Sequence, residues 1–278
     1  MNNTFDVVDP AEQSRAEAVV EALRAPKTPD TLTLVKKSKG RVYRYADDHG
    51  ALYVKVFSPR GLRERVVQLL RPPRRLYATA AALQAAGVHS PRPIAAWHYE
   101  AGGQTHQAFL MAAVPGYPGK ELAADAITPN KRSQLMSAYG QLLGRLIGAG
   151  FMPMDTVKSN FIVDLSRDPV EVAIIDVDNI RKPPWVPEAV VRRRLLKFAR
   201  WHLVALAQLW GAPPPSHAIR RFVRSYASAA GISLNDAWAQ WRWVGHKLRR
   251  VSPRAQEALQ NVPLRVGRPG QRRRAVLS

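Results

Sequence analysis

The chain has 278 residues, with 42 Lys and Arg against 21 Asp and Glu, a formal net charge of +21 and a pI near 11.0. It contains no cysteine, which excludes disulfide frameworks, Cys-ligated zinc, iron–sulfur clusters and thiol nucleophiles. A hydrophobic share of 46% is that of a globular protein, not of a basic disordered tail.

In chain order, Met1–Asp6 is acidic and lacks an apolar stretch, so no signal peptide is expected. Asp9-Pro10 followed by an Ala-, Glu- and Val-rich run predicts a capped helix with proline in its first turn. Three strand-like runs follow, Thr31–Val35, Arg41–Tyr45 and Leu52–Phe57, divided by turn residues at Ser38–Gly40 and Asp47–Gly50. A helix is expected over Arg74–Ala86, stopped by Gly87. Strands are expected at Ile94–Tyr99 and Gln107–Val114, and Pro115–Gly119 reads as a linker. Beyond it, Lys131–Ala149 carries Leu135, Ala138, Tyr139, Leu142, Leu143 and Leu146 at helical spacing. Short strands at Phe161–Val163 and Val172–Ile175 precede helical stretches at Glu188–Trp210, Ala218–Ala229 and Ala237–Trp243. The tail after Asn261 is rich in Pro, Gly and Arg and is expected to be disordered. The longest uncharged stretches, Ala101–Gly119 and Trp201–Ile219, are broken by Gly and Pro, so no transmembrane helix is expected.

Charge is unevenly placed. The first thirty residues are net acidic. The surplus of cations falls on Arg60, Arg63, Arg65, Arg71, Arg74 and Arg75, on Arg192–Arg194 with Lys197 and Arg200, and on the tail from Lys247 to Arg274. Such a balance favours polyanions as partners: nucleic acid, anionic lipid headgroups or phosphorylated sugars. A solvated basic surface is the plain alternative. No zinc finger, RNP aromatic motif or leucine zipper accompanies the charge, so no specific nucleic-acid partner is expected.

Three signals carry chemistry. Lys55 sits in the strand Leu52-Tyr-Val-Lys-Val-Phe57. Turned inward it would hold nucleotide phosphates; turned outward it would be an ordinary sheet-surface lysine. Asp155 and Asn160 have D-x-x-x-x-N spacing between a long helix and a strand. That spacing lets the Asp accept the proton of a substrate hydroxyl while the Asn ligates Mg²⁺. Asp125 and Asn130 share the spacing but precede the helix and lead into no strand. Finally, Ala173-Ile-Ile-Asp-Val-Asp-Asn179 ends a buried strand on carboxylates. Asp176 is the candidate Mg²⁺ ligand and Asp178 the runner-up; an Asp-Asn turn closing a strand is the structural alternative.

A small β region with a lysine on its third strand, a larger helical region, and these two carboxylate motifs in this order resemble a protein-kinase-like fold. More narrowly, Val54–Phe57, Gly61-Leu-Arg63, Leu70–Arg75, Leu83–Ala96 with its Gly-Val and Pro-Arg-Pro, and the Asp155 and Asp176 motifs resemble the lipopolysaccharide kinases that phosphorylate Kdo or heptose sugars. The resemblance covers roughly residues 31–230. It implies an α+β, protein-kinase-like two-lobe fold. Residues 1–30 would be an acidic helical extension, 31–115 an antiparallel β N-lobe with one inserted helix, 116–260 a larger, mainly helical C-lobe, and 261–278 a basic tail. The activity implied is ATP- and Mg²⁺-dependent phosphorylation of a hydroxyl on a phosphorylated or lipid-linked sugar. Lys55 would then hold the α/β-phosphates, Asp155 act as base, and Asn160 and Asp176 hold Mg²⁺. Lys158 would neutralise the transferring phosphoryl group, Gly40 lie over the phosphates, and the backbone of Ala112–Val114 bind adenine. The enzyme would be cytoplasmic and rest reversibly on the anionic inner face of the inner membrane.

The sequence departs from that pattern in three places. Pro153 stands where the loop's bracing His is usual, Gly40 is the only glycine between the first two strands, and no Glu on the helix before Gly87 is placed to pair with Lys55. These departures motivate a second reading, a catalytically silent kinase-like module. A basic nucleic-acid-binding protein is the third. No H-E-x-x-H spacing and no G-x-S-x-G elbow is present. Trp201, Trp210, Trp238, Trp241 and Trp243 fall in helical segments and read as core rather than as a stacking platform.

Overall fold

The computed structural model describes residues 5–25, 29–37, 40–59, 61, 66, 72–122, 127–210 and 214–251. The cations Arg60, Arg63, Arg65 and Arg71, and the tail after residue 251, lie outside them.

The alternating runs of the first half build one six-stranded sheet. Its strands are β1 (Phe5–Val8), β2 (Leu32–Lys37), β3 (Arg41–Asp47), β4 (Gly50–Phe57), β5 (Pro93–Ala101) and β6 (Gln104–Ala112). They lie in the order β1-β5-β6-β4-β3-β2, every pair antiparallel. The sheet buries both faces. Leu52, Val54 and Val56 point from β4 into a core shared with Ala16, Val19 and Val20 of α1 (Gln13–Arg24). The alternate residues Tyr53 and Phe57 face the other way, toward a second core that includes α2 (Pro73–Ala85) through Leu76, Ala80 and Leu83. Period-two alternation therefore aims Lys55, between Tyr53 and Phe57, at this second core and away from α1.

The second half is mainly helical. α3 (Pro129–Gly148) starts at Thr128, whose hydroxyl accepts the Lys131 N–H at 3.3 Å, with proline in the first turn. α4 (Glu188–Trp210), α5 (Ser216–Ala230) and α6 (Leu234–Val251) follow. α3 packs along α5 through Gly140, Gly144 and Gly148, where an added Cβ would fall 2.5 Å from the Phe222 and Tyr226 carbonyl oxygens at the first two positions and 3.0 Å from Ala230 at the third. Five short strands accompany these helices in the second half: β7 (Tyr117–Pro118), β8 (Met152–Pro153), β9 (Phe161–Asp164), β10 (Glu171–Ile174) and β11 (Ile180–Arg181). β10, β9 and β7 form one ladder, and β11 and β8 another.

Two expectations change. The segment read as a linker carries β7, which pairs Tyr117 with Val163 and Pro118 with Ile162. Gly116 makes that approach possible: its φ is +114°, and a Cβ there would sit 2.4 Å from the Val163 carbonyl oxygen. The sequence also does not announce β1, which adds an edge strand beside β5. The acidic residues that follow it are consumed locally: Asp9 and Glu12 pair with Arg92, and Glu12 and Asp47 pair with Arg15. Of the five tryptophans weighed as core, Trp238 and Trp241 are buried on α6.

Candidate active site

The hairpin β9–β10 sets the geometry. Its register places Phe161 opposite Ile174, so Asn160 and Asp176, just beyond the paired ends, emerge side by side. The Ile175 N–H donates to the Asn160 carbonyl at 3.0 Å and locks that juxtaposition. Pairing of β8 with β11, continued by the Met154 N–H donating to the Asn179 carbonyl at 2.7 Å, draws the Asp155 loop to the same end. Pro153 is opposite Ile180 in this two-residue ladder.

Lys55 reaches this end from the sheet. Its Nζ donates to Asp176 Oδ1 at 2.7 Å and to Asp178 Oδ1, and it lies 5.5 Å from the Phe57 ring centroid. Only 19% of the side chain is exposed, so the outward sheet-surface alternative does not hold. The partner that α2 does not provide is supplied by two carboxylates 121 and 123 residues downstream. Asn160, 4% exposed, joins the parts: its amide nitrogen lies 3.3 Å from the Asp155 carbonyl oxygen and 3.4 Å from Asp176 Oδ2. The Asn179 amide donates to the same Asp176 oxygen at 2.6 Å.

Electrostatics separate the two carboxylates. Burial and the neighbouring Asp176 push the Asp178 carboxyl up to about 6, and Lys55 offsets only part of this. Burial also works against the Asp176 charge, but hydrogen bonds from Asp178, Lys55 and Asn179 outweigh it and hold Asp176 well below the usual carboxylate range. Burial disfavours the Lys55 ammonium too; the two carboxylates prevail and raise its pKa.

Asp155 sits at the rim with 37% of its side chain exposed. Its Oδ1 accepts from Lys197 Nζ of α4 at 3.2 Å. Lys158 lies one turn on, in the short 3₁₀ helix Lys158–Asn160, and burial lowers its pKa. Gly40 lies against Val56, the residue after Lys55, and a Cβ there would fall 2.8 Å from the Val56 carbonyl oxygen. Ala112 closes β6 opposite Leu52. The N–H groups of Ala112 and Ala113 are already donated, to the Arg92 and Ala51 carbonyls at 2.9 and 3.2 Å. Val114 is the residue of this segment whose N–H has no partner among the described residues.

The structure therefore gathers Lys55, Asn160, Asp176 and Asp178 into one hydrogen-bonded group, and joins Asp155 to it through Asn160. Sequence reasoning does not find Lys197 as a partner of Asp155, nor His202. The imidazole of His202 lies on α4 in the buried stripe Val191, Leu195, Phe198, Ala199 and His202, with Nε2 2.9 Å from the Thr156 carbonyl oxygen. A histidine on an apolar stripe is the signal that was there to be read.

Two carboxylates and the Asn160 amide offer hard oxygen donors. This set fits Mg²⁺, which takes one or two carboxylates and fills its shell with water and substrate phosphate oxygens. Among the described residues no group of three or more His, Cys, Asp or Glu gathers to hold a metal alone.

No family model and no curated protein matches the chain. Among solved structures, the one titled "WaaP in complex with acyl carrier protein" is similar over 88% of this chain and 97% of that one, with a TM-score of 0.59 and 15% identity. The structure of WbdD is similar over 81% and 51%, with a TM-score of 0.46 and 16% identity. The likeness to WaaP is one of fold. What is shared is a mixed α and β architecture, here with an antiparallel N-terminal sheet followed by a mainly helical second half.

Proposed function

We propose that this protein is an ATP- and Mg²⁺-dependent kinase that transfers the γ-phosphoryl group to a hydroxyl of a lipopolysaccharide core sugar or a similar lipid-linked sugar. The observation that carries the reading is the meeting of Lys55, Asn160, Asp176 and Asp178, with Asp155 tied to them, from segments far apart in the chain. The WaaP-like fold supports it. In this reading residues 31–115 form the N-lobe and 116–260 the C-lobe, with the nucleotide between them. Val114 donates its free N–H to adenine. Lys55 exchanges its carboxylate partners for the α/β-phosphates. Asp176, Asp178 and Asn160 would hold Mg²⁺, which would supply positive charge to offset that of the nucleotide phosphates. Asp155 orients the acceptor hydroxyl and takes its proton as the new P–O bond forms and the bond to the β-phosphate oxygen breaks, with ADP leaving. Lys158 lies in the same loop and contributes charge to the transferring group.

The test is ATP consumption with core-sugar acceptors beside a thermal-shift titration with Mg·ATP. Asp155→Asn is expected to lower turnover about 10²–10⁴-fold while Mg·ATP affinity stays nearly intact. Asp176→Asn is expected to lose metal-linked nucleotide binding and turnover together. Turnover that survives Asp155→Asn removes Asp155 from the mechanism. A wild type that binds Mg·ATP but phosphorylates no acceptor assigns the chain to the catalytically silent class, and one that binds no Mg·ATP at millimolar concentration overturns both readings.

A further inference from the structure

Pro153 leaves the Asp155 loop without a bracing side chain two residues upstream of the carboxylate. Yet the three consecutive carbonyl groups of the loop are all held. Met154 O accepts from Lys197 Nζ at 2.7 Å, Asp155 O lies 3.3 Å from the Asn160 amide nitrogen, and Thr156 O lies 2.9 Å from His202 Nε2. Two of the three donors come from α4, more than forty residues downstream.

We propose that α4 replaces the missing brace: Lys197 and His202 are positioning residues that fix the backbone on either side of Asp155 and aim its carboxylate. Lys197 does both parts, since the same ammonium that holds Met154 O also holds Asp155 Oδ1 at 3.2 Å. This leaves Oδ2, which has no partner among the described residues, as the oxygen turned to a proton donor. His202 suits a fixed post. It is 2% exposed and sits among the rings of Phe198, Phe161 and Tyr139, with centroids 4.3, 4.6 and 5.0 Å away and Phe198 stacked on it at 12°. Burial keeps the ring neutral, and a neutral ring facing a carbonyl through Nε2 carries its proton there. Packing thus sets the direction of the donor, and the Thr156 carbonyl sets its tautomer. Arg cannot reproduce Lys197 without shifting the loop, because one small ammonium serves two acceptors.

The inference rests on the kinase reading for the role of Asp155, so the experiment has a readout independent of turnover. Hydrogen exchange is followed on the intact protein for peptides covering residues 152–161 and, as reference, α3. Lys197→Met and His202→Phe, the latter keeping the aromatic stack but not the donor, are expected to raise loop exchange about tenfold while α3 is unchanged. His202→Gln, which restores an amide donor, is expected to stay within about threefold of wild type; it and Lys197→Met keep the test decisive if His202→Phe does not fold. In parallel, Lys197→Met and His202→Phe are expected to lower kcat about 10–100-fold with KM for Mg·ATP within about twofold, and to add nothing further in the Asp155→Asn background, because they act through that carboxylate. Wild-type loop exchange in both variants overturns the brace. Raised exchange with unaltered kcat, or losses that multiply with Asp155→Asn, overturns the positioning role. If the wild type phosphorylates no acceptor, the kinase reading fails, and the exchange data alone decide whether α4 braces the loop.

Discussion

His202 shows how far one buried side chain governs the behaviour of the site. Burial lowers its pKa to about 3; the hydrogen bond to the Thr156 carbonyl works against that shift and the charge of Lys158 adds to it. An unfolded histidine titrates near 6.5. Between these values the unfolded chain binds a proton that the folded chain refuses, so stability is complete above about pH 6.5 and falls as pH drops toward 3. From pH 7.5 to pH 5 this single group is expected to remove about 2 kcal/mol of stability. Urea unfolding at the two pH values, in wild type and His202→Gln, measures it: the variant is expected to lose that part of the slope, and an equal slope in both would assign acid sensitivity elsewhere. The other residues of the site were more open to sequence reading. Lys55, Asp155, Asn160 and Asp176 follow one another in an order and spacing that the chemistry requires. His202 and Lys197 do not, because they act on loop carbonyls, and a carbonyl acceptor leaves no mark in the sequence.

At the level of elements, periodicity identifies most of what is present and fails where an element is too short or depends on a distant partner. α3 is legible from Leu135 to Leu146, and β4 from its alternation. β1 is four residues beside an acidic turn, and β7 is two residues in a Pro- and Gly-rich stretch; each exists only because another strand offers its edge, β5 in one case and β9 in the other. The glycines of α3 hold a second lesson. Gly140, Gly144 and Gly148 look like flaws in a helix, where Gly→Ala normally stabilises by about 1 kcal/mol. Here the backbone of α5 fills the space: a Cβ on Gly144 would lie 2.5 Å from Tyr226 O and 2.7 Å from Ala229 Cβ. Overpacking of this kind costs about 1–3 kcal/mol, which exceeds the propensity gain. Gly144→Ala is therefore expected to lower stability by about 1–2 kcal/mol, read as a lower urea midpoint with an unchanged m-value. A higher midpoint would mean that the two helices are free to move apart.

Over the whole molecule, charge is sorted by the fold. Asp9, Glu12 and Asp47 are paired with Arg15 and Arg92 on the sheet side, so the acidic start of the chain neutralises its own surroundings. The helical side keeps an unbalanced surface. Along α5 the exposed residues His217, Arg220, Arg221 and Arg224 recur at helical spacing and line a groove of about 360 Å³, a basic face that was not singled out in the sequence, where the clusters near Arg60, Arg192 and the tail drew attention. Among the described residues no carboxylate pairs with these arginines; Arg220 reaches only the Ser216 hydroxyl. No described helix is long and apolar enough to cross a membrane; what the α5 face offers an anionic surface is charge. Each arginine near an anionic leaflet contributes about 1 kcal/mol, falling off within a Debye length of about 8–10 Å. Co-sedimentation with phosphatidylglycerol-containing vesicles at low salt is therefore expected to be reversible and to weaken steeply toward 0.5 M salt (roughly a 4 Å screening length). Replacing Arg220, Arg221 and Arg224 together by Ala is expected to remove about 3 kcal/mol, on the order of 100-fold in the low-salt partition coefficient. The folded state should be unaffected, because all three are exposed on a helix whose opposite face, Phe222, Val223 and Tyr226, carries the packing. Equal binding to neutral and anionic vesicles would reject an electrostatic attachment. Unchanged binding by the triple variant would take the attachment away from the α5 face and place it on another of the basic clusters.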